Sequence, residues 1–378
     1  MATTTLTTAS ERIHHNNVHH DNISEHYYVT YENVQHILED IISPLLCCFG
    51  VIGNTLNMLV LTRRRMQTSL DNTMERSVCV GLIALAVSDF FVCLCSLPEA
   101  FLSQNVIYSS KSLELFYHMY GMYPRNAFSY SSTWLTVILA MSRYVAIYHP
   151  IHARFFVKPG HTCLAIFITF LMWFCLALPE VWNFEVEPLT MNNATHYILD
   201  IGSFRKNKSF NRGFVISWSV VGFIIPVSIL VFCNVQLIRA LQKTYRVNCK
   251  AQQGRQGANP RITATLIAIV IMLLILASPS EILSIYYIVD RKTARYDFVL
   301  AGIINNLLHT LNFSINFLLY CIANVNFRNT LKDIFCGCSK IQSSEGKSNQ
   351  SQSANNTSMK TDTTRSSAPE CKVCDTVL

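Results

Sequence analysis

The chain has 378 residues, of which 51% are hydrophobic and only 14% are charged, and its formal net charge is +7. Ordinary soluble domains carry about 25% charged residues, so this composition argues against a soluble globular protein. The sequence contains no metal, nucleotide or nucleophile signature, and we expect neither an enzyme nor a nucleic-acid-binding protein.

The apolar residues are gathered into seven segments, each long enough to cross a bilayer core, which takes about 20 helical residues. We therefore predict an all-α fold, a bundle of seven transmembrane helices, and name the segments span one to span seven. Their predicted bounds are Ile37–Thr62, Ser77–Leu102, Tyr117–Tyr148, His161–Val181, Gly213–Leu241, Ile262–Val289 and Phe298–Ala323.

The distribution of basic residues predicts the orientation of the chain in a plasma membrane, because cytoplasmic loops retain Lys and Arg. The loop after span one carries Arg63, Arg64 and Arg65, and the loop after span five is also basic. The loop after span four is basic as well, against this trend. Glycosylation acceptors, which are used only on the outer side, decide the case and place the N-terminus outside. They are Asn22, Asn193 and Asn207.

The regions outside the spans have distinct compositions. Residues 1–36 are polar and form the outer N-terminal segment, 324–338 form a short amphipathic eighth helix, and 339–378 are too polar to fold and form a disordered cytoplasmic tail. All 14 cysteines fall in spans or cytoplasmic segments. An extracellular disulfide is therefore not expected.

Polar motifs inside the spans carry a resemblance to a known family. In chain order the marks are Gly53-Asn54, Leu85-Ala86-Val87-Ser88-Asp89, Ser142-Arg143-Tyr144 and Asn316-Phe317-Leu318-Leu319-Tyr320, together with Trp173, Pro226 and Pro279. In this order and spacing they resemble the rhodopsin-like (class A) G-protein-coupled receptors. Span seven, with Asn326-Phe327-Arg328 after it, resembles the invertebrate neuropeptide receptors of the FMRFamide and myosuppressin kind.

Several positions depart from the usual family pattern. His118 takes the place of the cysteine at the outer end of span three, and Ser142 that of the acid before the arginine. Ala277, Phe317 and Asn234 replace a tryptophan, a proline and a tyrosine of the family's switch. Because Ser142 cannot hold the arginine as an acid would, we expect measurable basal signalling.

The resemblance implies a sodium and water site between spans two, three and seven. Its residues would be Asp89, Ser132, Asn312 and Asn316, with an allosteric Na+ at the Asp89 carboxylate. The alternative is an interhelical hydrogen-bond network without an ion.

The resemblance also implies how the chain meets its intracellular partners. Arg143, Tyr144 and Tyr320 would form the switch, and Ile151 would enter an apolar pocket of a heterotrimeric G protein; an ordinary loop residue is the alternative. Arrestin is a further partner of the family. Cys336 and Cys338, after the amphipathic stretch, are candidates for palmitoylation that would hold the eighth helix against membrane lipids.

Ionisable residues near the outer ends of the spans predict the ligand site, since such residues inside a bundle mark functional sites. The candidate ligand-binding residues are Glu99, Arg125, Glu180, Trp182, Glu281 and Tyr286. Arg125 disfavours a small amine, whereas glutamates in an aromatic cup suit a short amidated neuropeptide that contains arginine and aromatic groups. The alternative is that Arg125 pairs with Glu99 or Glu281 and neutralises the buried charge.

The chain ends in Thr376-Val377-Leu378, a form that can add as a strand to a PDZ scaffold domain, although such patterns also arise by chance. The favoured function is a neuropeptide receptor that activates a G protein. The competing functions are a transporter or channel and a receptor-like protein that does not signal.

Overall fold

The predicted spans are present as helices in a computed structural model of the chain. It describes residues 33–64, 66, 73–102, 107–108, 113–191, 194–248 and 296–336, together with individual helical positions between 267 and 286. Two units are distinguished, Met1–Phe335 and Cys336–Leu378, and all the helices and strands described below lie in the first, apart from the last helical residue. Span six is thus described only at separate positions.

Most helix boundaries of the other six spans lie within two residues of the predicted bounds. Spans two, three and five begin four or five residues earlier than predicted, and span five ends seven residues later. Helix eight is the segment Val325–Cys336. The observed helices are Ser43–Thr62 after the π-helical turn His36–Ile42 (span one), Thr73–Ser96 with the 3-10 turn Leu97–Ala100 (span two), Leu113–Tyr120 and Met122–Tyr148 (span three), Pro159–Ala177 with the 3-10 turn Leu178–Trp182 (span four), Lys208–Ser219, the π-helical turn Val220–Ile224 and Ile225–Asn248 (span five), and Tyr296–Ser314 and Asn316–Ala323 (span seven). Two further short helices, Pro150–Phe156 and Ser203–Lys206, lie in loops.

Four helices are long and apolar enough to cross a membrane when the described residues are judged by length and composition. They are Asn33–Thr62, Thr73–Glu99, Pro159–Trp182 and Ser209–Ala240. The helix of span three is long enough, but it is less apolar because several of its buried residues are Ser, Thr and Arg. These polar residues lower the mean hydropathy of the segment, but their side chains are buried against the other helices.

A small antiparallel sheet, which the sequence analysis did not predict, covers one end of the bundle. Its strands are β1 (Ile107–Tyr108), β2 (Phe184–Met191) and β3 (Ala194–Ile201), in the order β1-β3-β2. In the first half of β2 the exposed Glu185 and Glu187 alternate with the less exposed Phe184 and Val186, the period of a strand with one side toward solvent. We call the end with the sheet the outer end and the end with Arg143 and helix eight the inner end.

The largest buried cluster joins spans one, two, three and seven with helix eight. It includes Val60, Leu82, Leu139, Tyr320 and Phe327. Span two and span three approach closely at Gly81. A Cβ added to this residue would lie only 2.6 Å from Leu139 Cδ2. The core thus fixes the rotation of span three, and with it the directions of the polar side chains along that helix.

Candidate ligand-binding and signalling sites

Arg125, near the outer end of span three, pairs with Glu99 of span two. Its Nη1 atom donates to Glu99 Oε2 at 2.6 Å, and the side chains are 15% and 41% exposed, respectively. The structure therefore forms one of the internal pairs that the sequence left as an alternative, and Arg125 is already neutralised.

The next residue of the same helix, Asn126, holds a second glutamate. Asn126 Nδ2 donates to both carboxylate oxygens of Glu180, at 2.9 and 2.8 Å. Glu180 lies in the 3-10 turn after span four and is only 7% exposed. Among the described residues no cationic side chain forms an ion pair with it, so Glu180 is a buried carboxylate held by an amide alone.

A cavity of about 40 Å³ opens between spans one, two, three and seven. Glu39, Asp40 and Glu99 contribute carboxylates to its wall, and Arg125 contributes a guanidinium. Gln35 Nε2 donates to Glu39 at 2.9 Å, and His36 Nδ1 lies 2.6 Å from Asp40 Oδ2. The remaining lining residues are uncharged: Leu38, Ser43, Ser96, Ile303, Asn306, Leu307 and Thr310. The wall is therefore acidic.

Three predicted ligand residues, Glu180, Trp182 and Tyr286, do not line this cavity. Trp182 is 53% exposed, and Tyr286 is also exposed. Trp182 and Glu180 lie in the same 3-10 turn, in which each residue is rotated about the helix axis by about 120° relative to the one before it. Trp182 therefore leaves the helix axis in a different direction from the buried Glu180, two residues before it. Glu281 lies outside the described residues.

The predicted sodium-site residues converge in the middle of the bundle. Asp89 is fully buried; Ser132 Oγ donates to its Oδ1 and Asn316 Nδ2 to its Oδ2, both at 2.5 Å. Asn312 is also buried. The hydrogen-bond network that the sequence left as an alternative is thus present. No described Lys, Arg or His forms an ion pair with Asp89, so its charge has no cationic partner in this part of the chain.

The oxygen atoms of Asp89 and Ser132 are of the kind that a cation takes as ligands. Ser132 Oγ keeps its lone pairs while it donates, and an Asp89 carboxylate that carries a buried charge requires either a proton or a cation. The donor set is therefore compatible with Na+, which takes oxygen ligands.

At the inner end, Arg143 is 1% exposed, and its Nε and Nη2 atoms have no hydrogen-bond partner in the described part of the chain. Tyr320 likewise buries a hydroxyl without a partner there, while its ring stacks on Phe327 at 5.5 Å. Tyr144 stacks on Tyr148 at 5.1 Å. Arg143 and Tyr320 are thus enclosed in the bundle, whereas Tyr144 is only partly buried.

Ile151 has the opposite environment. It lies in the short helix Pro150–Phe156 between spans three and four, and it is 73% exposed. An exposed aliphatic side chain at the inner end is available to a partner protein.

The candidate modification and tail sites are only partly described. Asn207 is exposed, and its Oδ1 accepts from Phe210 N at 3.2 Å as the N-cap of the helix Lys208–Ser219. Cys336 is the last residue of helix eight. The other predicted positions, Asn22, Asn193, Cys338, Thr376, Val377 and Leu378, lie outside the described residues.

The outer loop between spans four and five is held by polar and backbone contacts. Lys206 Nζ donates to Asp200 Oδ2 at 2.9 Å, and this hydrogen bond lowers the pKa of Asp200. Gly202 N donates to Asn183 O at 2.9 Å, and Ser203 N to Glu185 Oε1 at 2.9 Å. Every cysteine described in the structure is a free thiol.

Sequence reasoning missed four polar residues of the outer half. Asn126 holds Glu180. Glu39 and Asp40 line the cavity. His309 of span seven places its Nε2 atom 3.4 Å from Ser129 Oγ. Each is a polar or ionisable residue at or inside an apolar segment, which is the signal that could have identified it.

Comparison with known proteins agrees with these observations. The family described as 7 transmembrane receptor (rhodopsin family) matches residues 56–326. Sex peptide receptor-related protein 2 of Caenorhabditis elegans is 27% identical over 82% of this chain and 74% of its own length. The FMRFamide receptor of Drosophila melanogaster is 23% identical (76% and 51% covered), and the Allatostatin-A receptor of Bombyx mori 21% (80% and 82% covered). The chain therefore belongs to the rhodopsin family of seven-transmembrane receptors, which are multi-pass membrane proteins that signal through G proteins and are not enzymes.

Proposed function

We propose that this receptor binds a short, amidated neuropeptide that contains a basic residue and aromatic groups, and that binding activates a heterotrimeric G protein inside the cell. The observation that carries the ligand class is Glu180, a buried carboxylate at the outer end of the bundle that has an amide partner and forms no ion pair with a described residue.

A buried carboxylate without a cation is costly. Glu99 forms an ion pair with Arg125, whereas Glu180 forms none with a described residue. An arginine side chain of a ligand would supply the missing charge and could bind the carboxylate in the bidentate manner that guanidinium groups favour. Glu180 is therefore the residue we assign to the basic group of the peptide.

The acidic cavity supports the same ligand class. Its wall presents Glu39 and Asp40 beside the paired Glu99 and Arg125, so a second positive group, such as a peptide N-terminus, would find carboxylates there. The names of the Drosophila and Bombyx relatives also support a peptide ligand.

The proposal extends to the other partners. Ile151 enters a pocket on the G protein, Na+ occupies the site at Asp89 in the resting receptor, and arrestin binds the active one. Palmitoyl groups on Cys336 and Cys338 hold helix eight at the lipid surface, and a PDZ scaffold takes the C-terminal tail. Asn22, Asn193 and Asn207 carry glycans on the extracellular side of the plasma membrane.

The test has two stages. Cells that express the chain with promiscuous G-protein readouts are first screened with a library of amidated neuropeptides. The active peptide is then compared with an analogue in which citrulline replaces arginine, on the wild-type receptor and on Glu180→Gln. Because loss of one partner of a buried charge pair costs about 3–5 kcal/mol, we expect Glu180→Gln to weaken the peptide about 100-fold or more, and the citrulline analogue much less.

The matched control is Glu185→Gln, which removes a carboxylate from the exposed part of the same loop. It should leave both potencies near the wild-type values. Equal losses for peptide and analogue on Glu180→Gln would show that Glu180 serves folding and does not bind the arginine.

A further inference from the structure

The buried position of Arg143 is not explained by its neighbours in sequence. Its side chain is 1% exposed, and its Nε and Nη2 atoms have no hydrogen-bond partner among the described residues. Ser142, at the position of the family's usual acid, donates its Oγ to Ile138 O of its own helix at 2.7 Å. The neighbouring residue therefore does nothing to hold or neutralise the guanidinium.

A second helix places a buried carboxylate at the same end of the bundle as this guanidinium. Glu75 lies in the first turn of span two, at the inner end, and is buried. Among the described residues it is the only buried acid at the inner end, and no hydrogen bond or close ion pair joins it to Arg143. An ionisable residue buried in this way is costly, and such residues in membrane proteins face the bundle interior and have a function.

The register of spans two and three places the two groups at similar depths in the bundle. Asp89 of span two and Ser132 of span three are in contact, and Leu139 packs against Gly81 closer to the inner end. A helix rises by 1.5 Å per residue, so Arg143 lies about 16 Å from Ser132 toward the inner end of span three. Glu75 lies about 21 Å from Asp89 toward the inner end of span two. The difference in depth between Arg143 and Glu75 is small enough for a long arginine side chain to span.

Glu75 also belongs to the side of span two that faces the bundle. Val78, Leu82, Leu85 and Asp89 follow it at intervals of three or four residues, and all are buried. Residues at this spacing lie on one face of a helix. Its burial is therefore a consequence of the helix rotation that also directs Asp89 toward span three.

We propose that Glu75 is a positioning residue of the receptor switch: its carboxylate, supplied by span two, holds Arg143 in the resting position in place of the acid that the family usually has beside the arginine. The interaction acts across two helices and without a direct hydrogen bond, so it restrains Arg143 less firmly than an adjacent ion pair would. Loss of this charge shifts the population of receptors toward the active conformation. The inference requires G-protein signalling but no particular ligand.

The test measures basal G-protein signalling in the absence of ligand, normalised to the number of receptors at the cell surface. We expect Glu75→Gln to raise the basal signal about three-fold, the change that corresponds to an average interhelical polar interaction in a membrane. Arg76→Gln, which removes the charge of the exposed neighbouring residue, should leave the basal signal unchanged. Adding Ser142→Asp to Glu75→Gln should return it to the wild-type level, because the usual acid is then restored.

An unchanged basal signal in Glu75→Gln at equal surface density would overturn the proposal. So would an increase that Ser142→Asp does not reverse, since a merely structural defect in span two is not repaired from span three. If Glu75→Gln reaches the surface poorly, Glu75→Asp keeps the charge but withdraws it by one methylene group. That variant should give a smaller increase, and no increase would also refute the assignment.

Discussion

Arg125 and Glu99 join the outer ends of spans three and two through a contact of 2.6 Å between Nη1 and Oε2. The pair lies in the wall of the acidic cavity, and the next residue of span three, Asn126, holds Glu180. Two consecutive residues of one helix thus connect it to two different neighbours. In the described part of the chain, one glutamate is paired with a cation and the other is held by an amide without an ion pair.

The Arg125–Glu99 pair predicts an asymmetric pattern of stability. Glu99→Gln leaves a mostly buried cation without its partner, whereas Arg125→Gln leaves a carboxylate that is 41% exposed and can be hydrated. Glu99→Gln should therefore lower the thermal stability of the purified receptor more than Arg125→Gln does. The double variant should show a coupling of about 1 kcal/mol. Additive losses would mean that the pair contributes nothing.

The Asp89 site predicts a sodium effect. In the wild type, Na+ should lower agonist affinity when compared with an equal concentration of a larger monovalent cation such as N-methyl-D-glucamine. Asp89→Asn removes the charge that would hold the ion, and the difference should then vanish. Equal affinities in both salts for the wild type would leave the hydrogen bonds from Ser132 and Asn316 as the whole role of this site.

The outer loop predicts resistance to reduction. All described cysteines are free thiols, and the sequence between residues 181 and 212 contains none. Mild external reductant should therefore leave ligand binding intact at constant surface expression. A control receptor of the family that has the usual outer cysteine pair should lose binding under the same conditions. Loss of binding here as well would reveal a disulfide that involves a cysteine assigned to another region.

Gly202 predicts a strict requirement for glycine in the same loop. A Cβ at this position would lie 2.2 Å from the backbone oxygen of Trp182, and backbone atoms cannot move aside as a flexible side chain can. Gly202→Ala should cost about 1–3 kcal/mol of stability, as overpacking does, and reduce thermal stability and surface level. Gly213→Ala is the control, since nothing lies within 4 Å of a Cβ there. Similar behaviour of the two variants would contradict the close approach.

The C-terminus predicts binding to a PDZ domain. A peptide with the last residues of the chain should capture members of a PDZ panel, with the terminal carboxylate in a backbone nest and Leu378 in the apolar pocket. Thr376→Ala, or one glycine added after Leu378, should abolish the capture. A wild-type peptide that captures no domain would end the idea.

Much of the fold could be read from the sequence, because its determinants are local. Apolar runs of about 20 residues are driven into the bilayer whatever their neighbours, and they form helices there because every backbone polar group must be satisfied within the segment. The order of Asp89, Arg143 and Tyr320 along these runs was sufficient to indicate the family. The outer sheet was missed because its strands β2 and β3 lie in a loop where charged and apolar residues mix.

The partners of the ionisable residues were decided only by the tertiary structure. Arg125 had Glu99 and Glu281 as candidates, and the sequence could not assign Asn126 to Glu180, which is 54 positions away. Such pairs depend on the rotation and register of each helix, which are set by the packing of residues such as Gly81 and Leu139 across the whole bundle. A segment's composition determines that it crosses the membrane, but only its neighbours determine which side chain meets which.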